Sequence, residues 1–128
     1  MNAYLIDTHT LLWYLEGNTR ISENGKAVIQ YPGNQIFTSV VCLWEITTKI
    51  SLGKLHLPEP FESVIAKMEV LNIGILPLQT AHIMRAATLP LYHHDPFDRM
   101  LIAQALTEGM PVVSKNAVFE EYGIEWIW

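Results

Sequence analysis

Short apolar runs alternate with segments of helical patterning along the whole chain, and this alternation constrains the fold more than any other feature. The apolar runs predict strands at 3–7, 35–39, 73–78, 111–114 and 124–128. Helices are predicted at 8–17, 22–31, 40–53, 60–71 and 79–89, from Pro96 into the run that follows it, and as a short turn near 116–123. Short apolar strands with helices between them are typical of an α/β domain with a mainly parallel central sheet that helices cover on both faces.

The composition predicts one compact domain that spans residues 1–128. Of the 128 residues, 50% are hydrophobic and 16% are charged, and no repeat or low-complexity tract is visible. The uncharged stretch 70–84 contains several polar residues and a proline, so it does not predict a membrane span. The N-terminus lacks the pattern of a secretory signal. Because the single cysteine, Cys42, permits no internal disulfide, we expect a cytoplasmic protein without membrane association.

The charge balance limits how this chain can bind nucleic acid. The formal net charge is −5, and the 8 Lys and Arg residues are scattered along the sequence. Proteins that bind nucleic acid through its phosphates usually have a basic face. A nucleic acid partner would therefore need bound metal ions or a small local cluster of cations. Of the 13 acids, only three are Asp, the carboxylate preferred at helix caps and as a ligand of hard metal ions: Asp7, Asp95 and Asp98.

Two of these aspartates occur in "HHDPFDRMLIAQAL", residues 93–106. Asp95 is a suitable N-cap, and Pro96 then occupies the first helical position, where its missing N–H costs nothing. Asp98 would be the third helical residue, where a carboxylate favours the positive end of the helix dipole. The pair therefore resembles a capping box with Asp in place of Glu. Taken alone, this stretch indicates a capped helix start rather than a chemical site.

Polar residues at the ends of the predicted strands favour a site. Ligands of parallel sheets collect at the carboxyl ends of the strands. Asp7 ends the first predicted strand, and Asn116 follows the fourth. Asp95 and Asp98 lie at a helix start that a loop returning from the sheet would reach. We expect these positions to share one edge of the sheet.

Glu45 interrupts an otherwise apolar predicted helix. It could simply pair with Lys49 one turn later, in the favourable Glu-first order, for about 0.3 kcal/mol. The flanking Trp44 and Ile46 predict more burial than such a surface pair requires. A buried carboxylate needs a metal ion or strong hydrogen bonds, so a site role for Glu45 stays open beside the simple pair.

Four segments together resemble a known family: "YLIDTHTLLWYL", "SVVCLWEITTKISLGKL", "HHDPFDRMLIAQAL" and "PVVSKNAVFEEYGIEWIW". In this order they are similar to PIN-domain proteins, specifically the VapC-like toxins of bacterial toxin–antitoxin pairs. The resemblance implies a three-layer α/β/α fold and a ribonuclease that uses Mg²⁺ or Mn²⁺. By position it assigns the catalytic and metal-binding acids to Asp7, Glu45 and Asp98, with Asp95 beside them. The fourth family acid corresponds to Asn116 here.

This chain departs from the family pattern at two positions. Asn116 offers a neutral carbonyl oxygen where an acid would supply charge, so a second metal ion would be held more weakly. His94 stands where the family has an arginine, which removes a permanent charge. The residues expected to meet substrate are Lys49, Arg99, Ser114 and Lys115, although Lys49 and Arg99 could also be ordinary solvated surface charges.

The chemistry implied by the resemblance is hydrolysis of RNA phosphodiester bonds at an acidic Mg²⁺ or Mn²⁺ site. The implied partners are RNA, a cognate antitoxin protein and a second copy of the chain in a homodimer. One alternative is a catalytically silent scaffold that only binds a partner, because Asn116 replaces an acid. A second is a phosphatase whose metal ions are held by "DTH" (7–9) and "HHD" (93–95).

Overall fold

The computed structural model describes residues 2–128 as alternating strands and helices. The strands are β1 (Asn2–Ile6), β2 (Asn34–Ser39), β3 (Ile73–Leu76), β4 (Val112–Val113) and β5 (Trp126–Ile127). The helices are α1 (Thr8–Glu16), α2 (Glu23–Gln30), α3 (Val40–Ser51), α4 (Glu62–Val70), α5 (Thr80–Ala87), α6 (Pro96–Glu108) and α7 (Val118–Glu121). Every predicted element is present, and the differences are confined to the ends. The third strand, for example, stops at Leu76 because Pro77 has no N–H to continue a ladder.

The five strands form one sheet in the order β3-β2-β1-β4-β5. All four pairings between neighbouring strands are parallel. The predicted α/β class is confirmed, and the sheet is more uniformly parallel than the sequence pattern required. Within residues 2–128, none of the helices is long and apolar enough to cross a lipid bilayer.

Alternating side chains of the two central strands build a core on each face of the sheet. Leu5 and Val112 pack in a cluster with α6 and α7, whereas Ile6 and Val113 pack in a cluster with α1, α2 and α4. All four side chains are fully buried. Because successive residues of a strand point to opposite faces, both faces need an apolar layer of helices. The result is the three-layer α/β/α arrangement.

The order of the strands creates a switch point beside β1. The chain adds β2 and β3 on one side of β1 and then returns to add β4 and β5 on the other. The connections on the two sides of this point diverge, which leaves a crevice beyond the carboxyl ends of β1 and β4. Asp7 follows β1 directly, and Ser114 follows β4 directly. The topology therefore places the polar residues that end these strands around one crevice.

Candidate active site

Asp7 is held by both carboxylate oxygens. Its Oδ1 accepts from the backbone N–H of Thr10 at 3.0 Å, so it is the N-cap of α1. Its Oδ2 accepts from the Ser114 hydroxyl at 2.5 Å. The Ser114 Oγ also accepts from the N–H of Asn116 at 3.0 Å. The cap and the strand-end serine together fix the orientation of the Asp7 carboxylate.

Ser114 was predicted to contact substrate, but the structure buries it. Its side chain is fully buried, and its hydroxyl is already engaged by Asp7 and by the N–H of Asn116. It therefore has no surface to offer a substrate. The structure makes it a residue that orients Asp7.

Glu45 lies on α3 with 6% of its surface exposed. The Thr8 hydroxyl donates to its Oε1 at 2.6 Å, and the Lys49 ammonium donates to its Oε2 at 2.5 Å. The structure thus contains both features that the sequence predicted for Glu45, the pair with Lys49 and the burial of the carboxylate. Burial alone would lower the pKa of Lys49, but the hydrogen bond and charge of Glu45, aided by Asp95 and Asp98, raise it above the usual value.

Asp95 caps α6 as predicted. Its Oδ1 accepts from the N–H groups of Phe97 at 2.9 Å and of Asp98 at 3.1 Å, and Pro96 is the first helical residue. Asp98 does not complete a capping box by reaching back to Asp95. Its Oδ2 lies 2.8 Å from Nε2 of His93. The "DPFD" segment is therefore a helix start whose second carboxylate is held by a histidine from the preceding loop.

Burial raises the pKa of Asp98 above its usual value. The hydrogen bond from His93 opposes this shift, whereas the negative charges of Asp95 and Glu45 add to it. The fold therefore disfavours the ionised carboxylate at neutral pH, and this cost disappears only as the pH falls below the raised pKa.

An Asp98→Asn variant is expected to melt a few degrees higher than the wild type at pH 7 when no divalent cation is present. The substitution removes a carboxylate charge that burial and two neighbouring acids disfavour, and its side-chain oxygen can still accept from His93. Thermal unfolding by circular dichroism in a chelating buffer measures the effect. At pH 3 the two proteins should differ less, because the wild-type carboxyl is then protonated. A lower melting temperature for the variant at pH 7 would contradict this expectation.

One cavity of about 420 Å³ brings the predicted acids together. Its lining residues come from α1, α3, α6 and the loops that precede α1 and α6 and follow β4: Asp7, Thr8, His9, Trp13, Glu45, Lys49, Asp95, Asp98, Lys115 and Asn116. All five predicted oxygen ligands line it, and so do two of the four residues predicted to meet substrate. Ser114 lies beneath it, and Arg99 is not part of the lining.

Three of the four carboxylates are hydrogen-bonded by other side chains, those of Asp7, Glu45 and Asp98. Among residues 2–128, no three Asp, Glu, His or Cys side chains stand close enough, as they are arranged, to hold a metal ion. Lys49 donates a hydrogen bond to Glu45, and His93 is hydrogen-bonded to Asp98. The donors are nevertheless carboxylate and amide oxygens, which suit Mg²⁺ or Mn²⁺, and one cavity collects them. Cys42 is unsuited as a ligand because burial raises its pKa to about 12.

Arg99 has a structural role in place of the predicted phosphate contact. Its guanidinium donates to five acceptors: the carbonyl oxygens of Ala86, Leu89, Pro90 and His93 and the Tyr122 hydroxyl, at 3.0 to 3.5 Å. These acceptors belong to the end of α5, to the segment between α5 and α6, and to the residue after α7. Arg99 therefore holds in place the loop that carries His93 and Asp95, and both terminal nitrogens of its guanidinium are already engaged.

Sequence reasoning missed two residues that hold the acids. Thr8 binds Glu45 across 37 positions of sequence. His93 holds Asp98, although from the sequence it was considered only as a possible metal ligand of a phosphatase. His93 lies only five residues before Asp98, so a local signal for that contact existed. Thr8 adjoins Asp7 and not the Glu45 that it binds, so no signal in the sequence indicated that contact. With His93 engaged by Asp98, the histidine-based phosphatase has no further support in the structure.

The fold and the cavity define a class: a three-layer α/β protein with carboxylates collected at the switch point of a parallel sheet. A sequence model of the PIN domain family matches residues 4–125, and the chain belongs to this family. The predicted family resemblance is confirmed.

Individual relatives agree with this assignment. Ribonuclease VapC22 of Mycobacterium tuberculosis is 24% identical over 119 residues, which cover 91% of this chain and 88% of the relative. VapBC2 of Rickettsia felis, solved bound to a DNA fragment from its promoter, matches with a TM-score of 0.69 at 13% identity, over 97% of this chain and 96% of that one. A toxin–antitoxin complex from Klebsiella pneumoniae matches with a TM-score of 0.56 at 16% identity, over 89% and 87%. At these identities the two solved structures show the fold alone.

Proposed function

We propose that this protein is a metal-dependent endoribonuclease of the VapC type, a toxin that a cognate antitoxin neutralises. The observation that carries the proposal is the single cavity at the switch point, which collects four carboxylates, one amide oxygen and two lysines. Membership of the PIN domain family and the similarity to a relative named as a ribonuclease support the same chemistry. An acidic chain of net charge −5 can accept RNA at such a place if cations offset its carboxylates.

The cofactor that fits this cavity is Mg²⁺ or Mn²⁺. Asp7, Glu45 and Asp98 would hold it, with Asp95 and Asn116 as further oxygen donors. When bound, such an ion supplies positive charge for the phosphate in the transition state and activates water for hydrolysis. Lys49 would have to release Oε2 of Glu45 before that oxygen could bind the ion, whereas His93 holds only Oδ2 of Asp98.

The chain's own residues provide orientation and charge. Ser114 and the α1 cap hold Asp7, and Thr8 holds one oxygen of Glu45 while the other faces Lys49. Fixed carboxylates cost little reorganisation when a substrate binds. Lys115 is exposed at the rim of the cavity, where its ammonium can meet an RNA phosphate. Lys49 can do the same once it leaves Glu45.

Asn116 is the weak point of the proposed metal site. Its Oδ1 accepts from the N–H of Val118 at 3.1 Å, so the amide oxygen is partly committed to the start of α7. It is also uncharged, and a carboxylate there would attract a divalent cation more strongly.

An Asn116→Asp variant is expected to bind Mn²⁺ about tenfold more tightly, because one added carboxylate at the cavity wall strengthens the attraction to a divalent cation by roughly 1.4 kcal/mol. The aspartate keeps an oxygen that can accept from Val118. Isothermal titration with Mn²⁺ measures the affinity. Asn18→Asp is the matched control: it adds the same charge outside the cavity, and its side chain still accepts from Arg20. Equal affinity for Asn116→Asp and wild type would remove Asn116 from the proposed ligand set.

The antitoxin belongs to this proposal because a nuclease acting on cellular RNA must be restrained, and one structural neighbour is described as a toxin–antitoxin complex. We also propose that the chain forms a homodimer in the cytoplasm. Size-exclusion chromatography with light scattering of the isolated chain, and of the chain co-expressed with the product of the neighbouring gene, tests both associations.

The experiment that tests the activity uses purified protein freed of antitoxin, a mixed RNA pool, and Mg²⁺ or Mn²⁺. Cleavage that appears with either ion and disappears with a chelator is the expected result. Intact RNA with both ions, from protein shown to be folded, would overturn the proposal. It would favour the silent scaffold, for which the partnered carboxylates and the neutral Asn116 are the supporting observations.

A further inference from the structure

Three aromatic rings form a continuous row that begins at the acidic cavity. The His9 and Trp13 rings have centroids 5.6 Å apart with planes tilted by 37°, and the Trp13 and Trp128 rings are 6.0 Å apart with a tilt of 50°. His9 and Trp13 stand one turn apart on α1 and line the cavity, whereas β5 brings Trp128 beside them. We call His9, Trp13 and Trp128 the aromatic rim.

Core packing explains only part of the aromatic rim. Trp13 and Trp128 are half-buried against the apolar cluster beneath α1. His9 is exposed, and it lies in the first turn of the helix that Asp7 caps. Its imidazole contacts the Trp13 ring, and because it is exposed it is not part of the core. An exposed imidazole and a partly open indole beside carboxylates and lysines form an amphipathic surface.

We infer that the aromatic rim stacks an unpaired nucleobase of the RNA, next to the phosphate that the acidic cavity receives. This inference rests on the proposed ribonuclease function. Aromatic side chains bind bases through their π-faces, and this contact tolerates any base. The helix links the two sites directly, because Trp13 stands about 9 Å along the α1 axis from Asp7 at 1.5 Å per residue. Lys115 lines the same cavity and can hold the phosphate of the stacked nucleotide.

The rim also predicts which RNA is selected. A base inside a duplex hides its faces in the stack, so only single-stranded or bulged RNA can offer a face to His9 and Trp13. Adenine, with its larger ring system, should stack better than uracil. The rim therefore favours unpaired purines without reading their hydrogen-bonding edges.

The test measures binding separately from cleavage. Fluorescence anisotropy gives the dissociation constants of labelled oligoadenylate and oligouridylate in the presence of Mn²⁺, with all proteins in an Asp7→Asn background so that cleavage is slow compared with the binding measurement. His9→Ala and Trp13→Leu are expected to weaken oligoadenylate binding about tenfold and oligouridylate binding less. Trp44→Leu is the control, because Trp44 is an exposed tryptophan outside the cavity. Thermal melts show whether Trp13→Leu still folds, and His9→Ala removes an exposed side chain.

An abasic oligonucleotide identifies the contact as a base stack. If His9 stacks a base, the abasic strand should bind the Asp7→Asn parent about as weakly as oligoadenylate binds its His9→Ala variant, with no further loss when both changes are combined. Equal affinities of the Asp7→Asn parent and its His9→Ala variant for oligoadenylate would overturn the inference. So would a loss for His9→Ala that is just as large with the abasic strand. Either result could occur while the wild-type protein still cleaves RNA, so the stack can fail without the ribonuclease, whereas absence of cleavage by folded wild type would remove both.

Discussion

Asp7→Asn is expected to reduce metal-dependent RNA cleavage by roughly 10²- to 10³-fold, which is the size of effect seen when one fixed electrostatic group is removed from an active site. The substitution removes the carboxylate charge at the switch point. It leaves the fold in place, because the asparagine oxygen can still accept from Thr10 N–H and its amide can donate to Ser114. The initial rate of RNA cleavage measures the loss, and the melting temperature checks the fold.

Asp95→Asn is the matched control for this experiment. It removes the same charge from the same cavity, but the Asp95 side chain is committed to the N–H groups of Phe97 and Asp98. If the Asp7 carboxylate acts as a ligand, Asp7→Asn must weaken Mn²⁺ binding and cleavage more than Asp95→Asn does. If both variants lost Mn²⁺ affinity and cleavage equally, Asp7 would contribute only its charge, like the other acids around the cavity. Cleavage by Asp7→Asn at the wild-type rate would contradict the assignment altogether.

The fold could be predicted because its signals are local. Short segments of the sequence are enough to predict the apolar strands and the helices between them. This alternation in turn predicts that β1 and β4 are buried on both faces of the sheet. The cap at Asp95 was predicted from residue type and position, and the structure contains it. Asp7 and Ser39, whose residue types also favour the cap position, cap α1 and α3. Element ends were less predictable. For example, α3 was predicted to reach Gly53 but ends at Ser51, because the positive φ that favours glycine lies beyond the last helical turn.

The candidate site was only partly predictable, because its supporting contacts join distant parts of the chain. The sequence indicated the three aspartates because they lie at a strand end or a helix start: Asp7, Asp95 and Asp98. It indicated Glu45 because this acid interrupts an apolar helix. It could not show that Ser114 holds Asp7 across 107 positions. Such a contact depends on which strands become neighbours in the sheet. The roles of Ser114 and Arg99 were also hard to predict, because a serine or an arginine can either orient a neighbouring residue or bind a phosphate.

Replacing Arg99 distinguishes a structural role from a phosphate-binding role, and the replacement should have a large effect on stability. An Arg99→Lys variant is expected to be about 1–3 kcal/mol less stable, or roughly 4–12 °C lower in melting temperature. Lysine keeps the positive charge, but its single ammonium cannot replace a planar fork that binds four carbonyl oxygens and the Tyr122 hydroxyl. The loop before α6 then loosens, and His93 no longer holds Asp98 in place. Urea unfolding measures the free energy of unfolding, and RNA cleavage by the folded fraction is expected to fall about tenfold.

Arg85→Lys provides the comparison for Arg99→Lys. Arg85 is an exposed arginine in the last turn of α5, so its replacement should change stability by less than about 0.5 kcal/mol. If Arg99 were instead a phosphate-binding residue, as its sequence context first suggested, Arg99→Lys would leave the unfolding free energy unchanged and would mainly raise KM for RNA. A loss of stability with an unchanged KM would place Arg99 among the residues that build the site. Asp95 and Asp98 then depend on a loop that the Arg99 guanidinium holds in place, because neighbouring carboxylates repel one another and need partners that fix each of them.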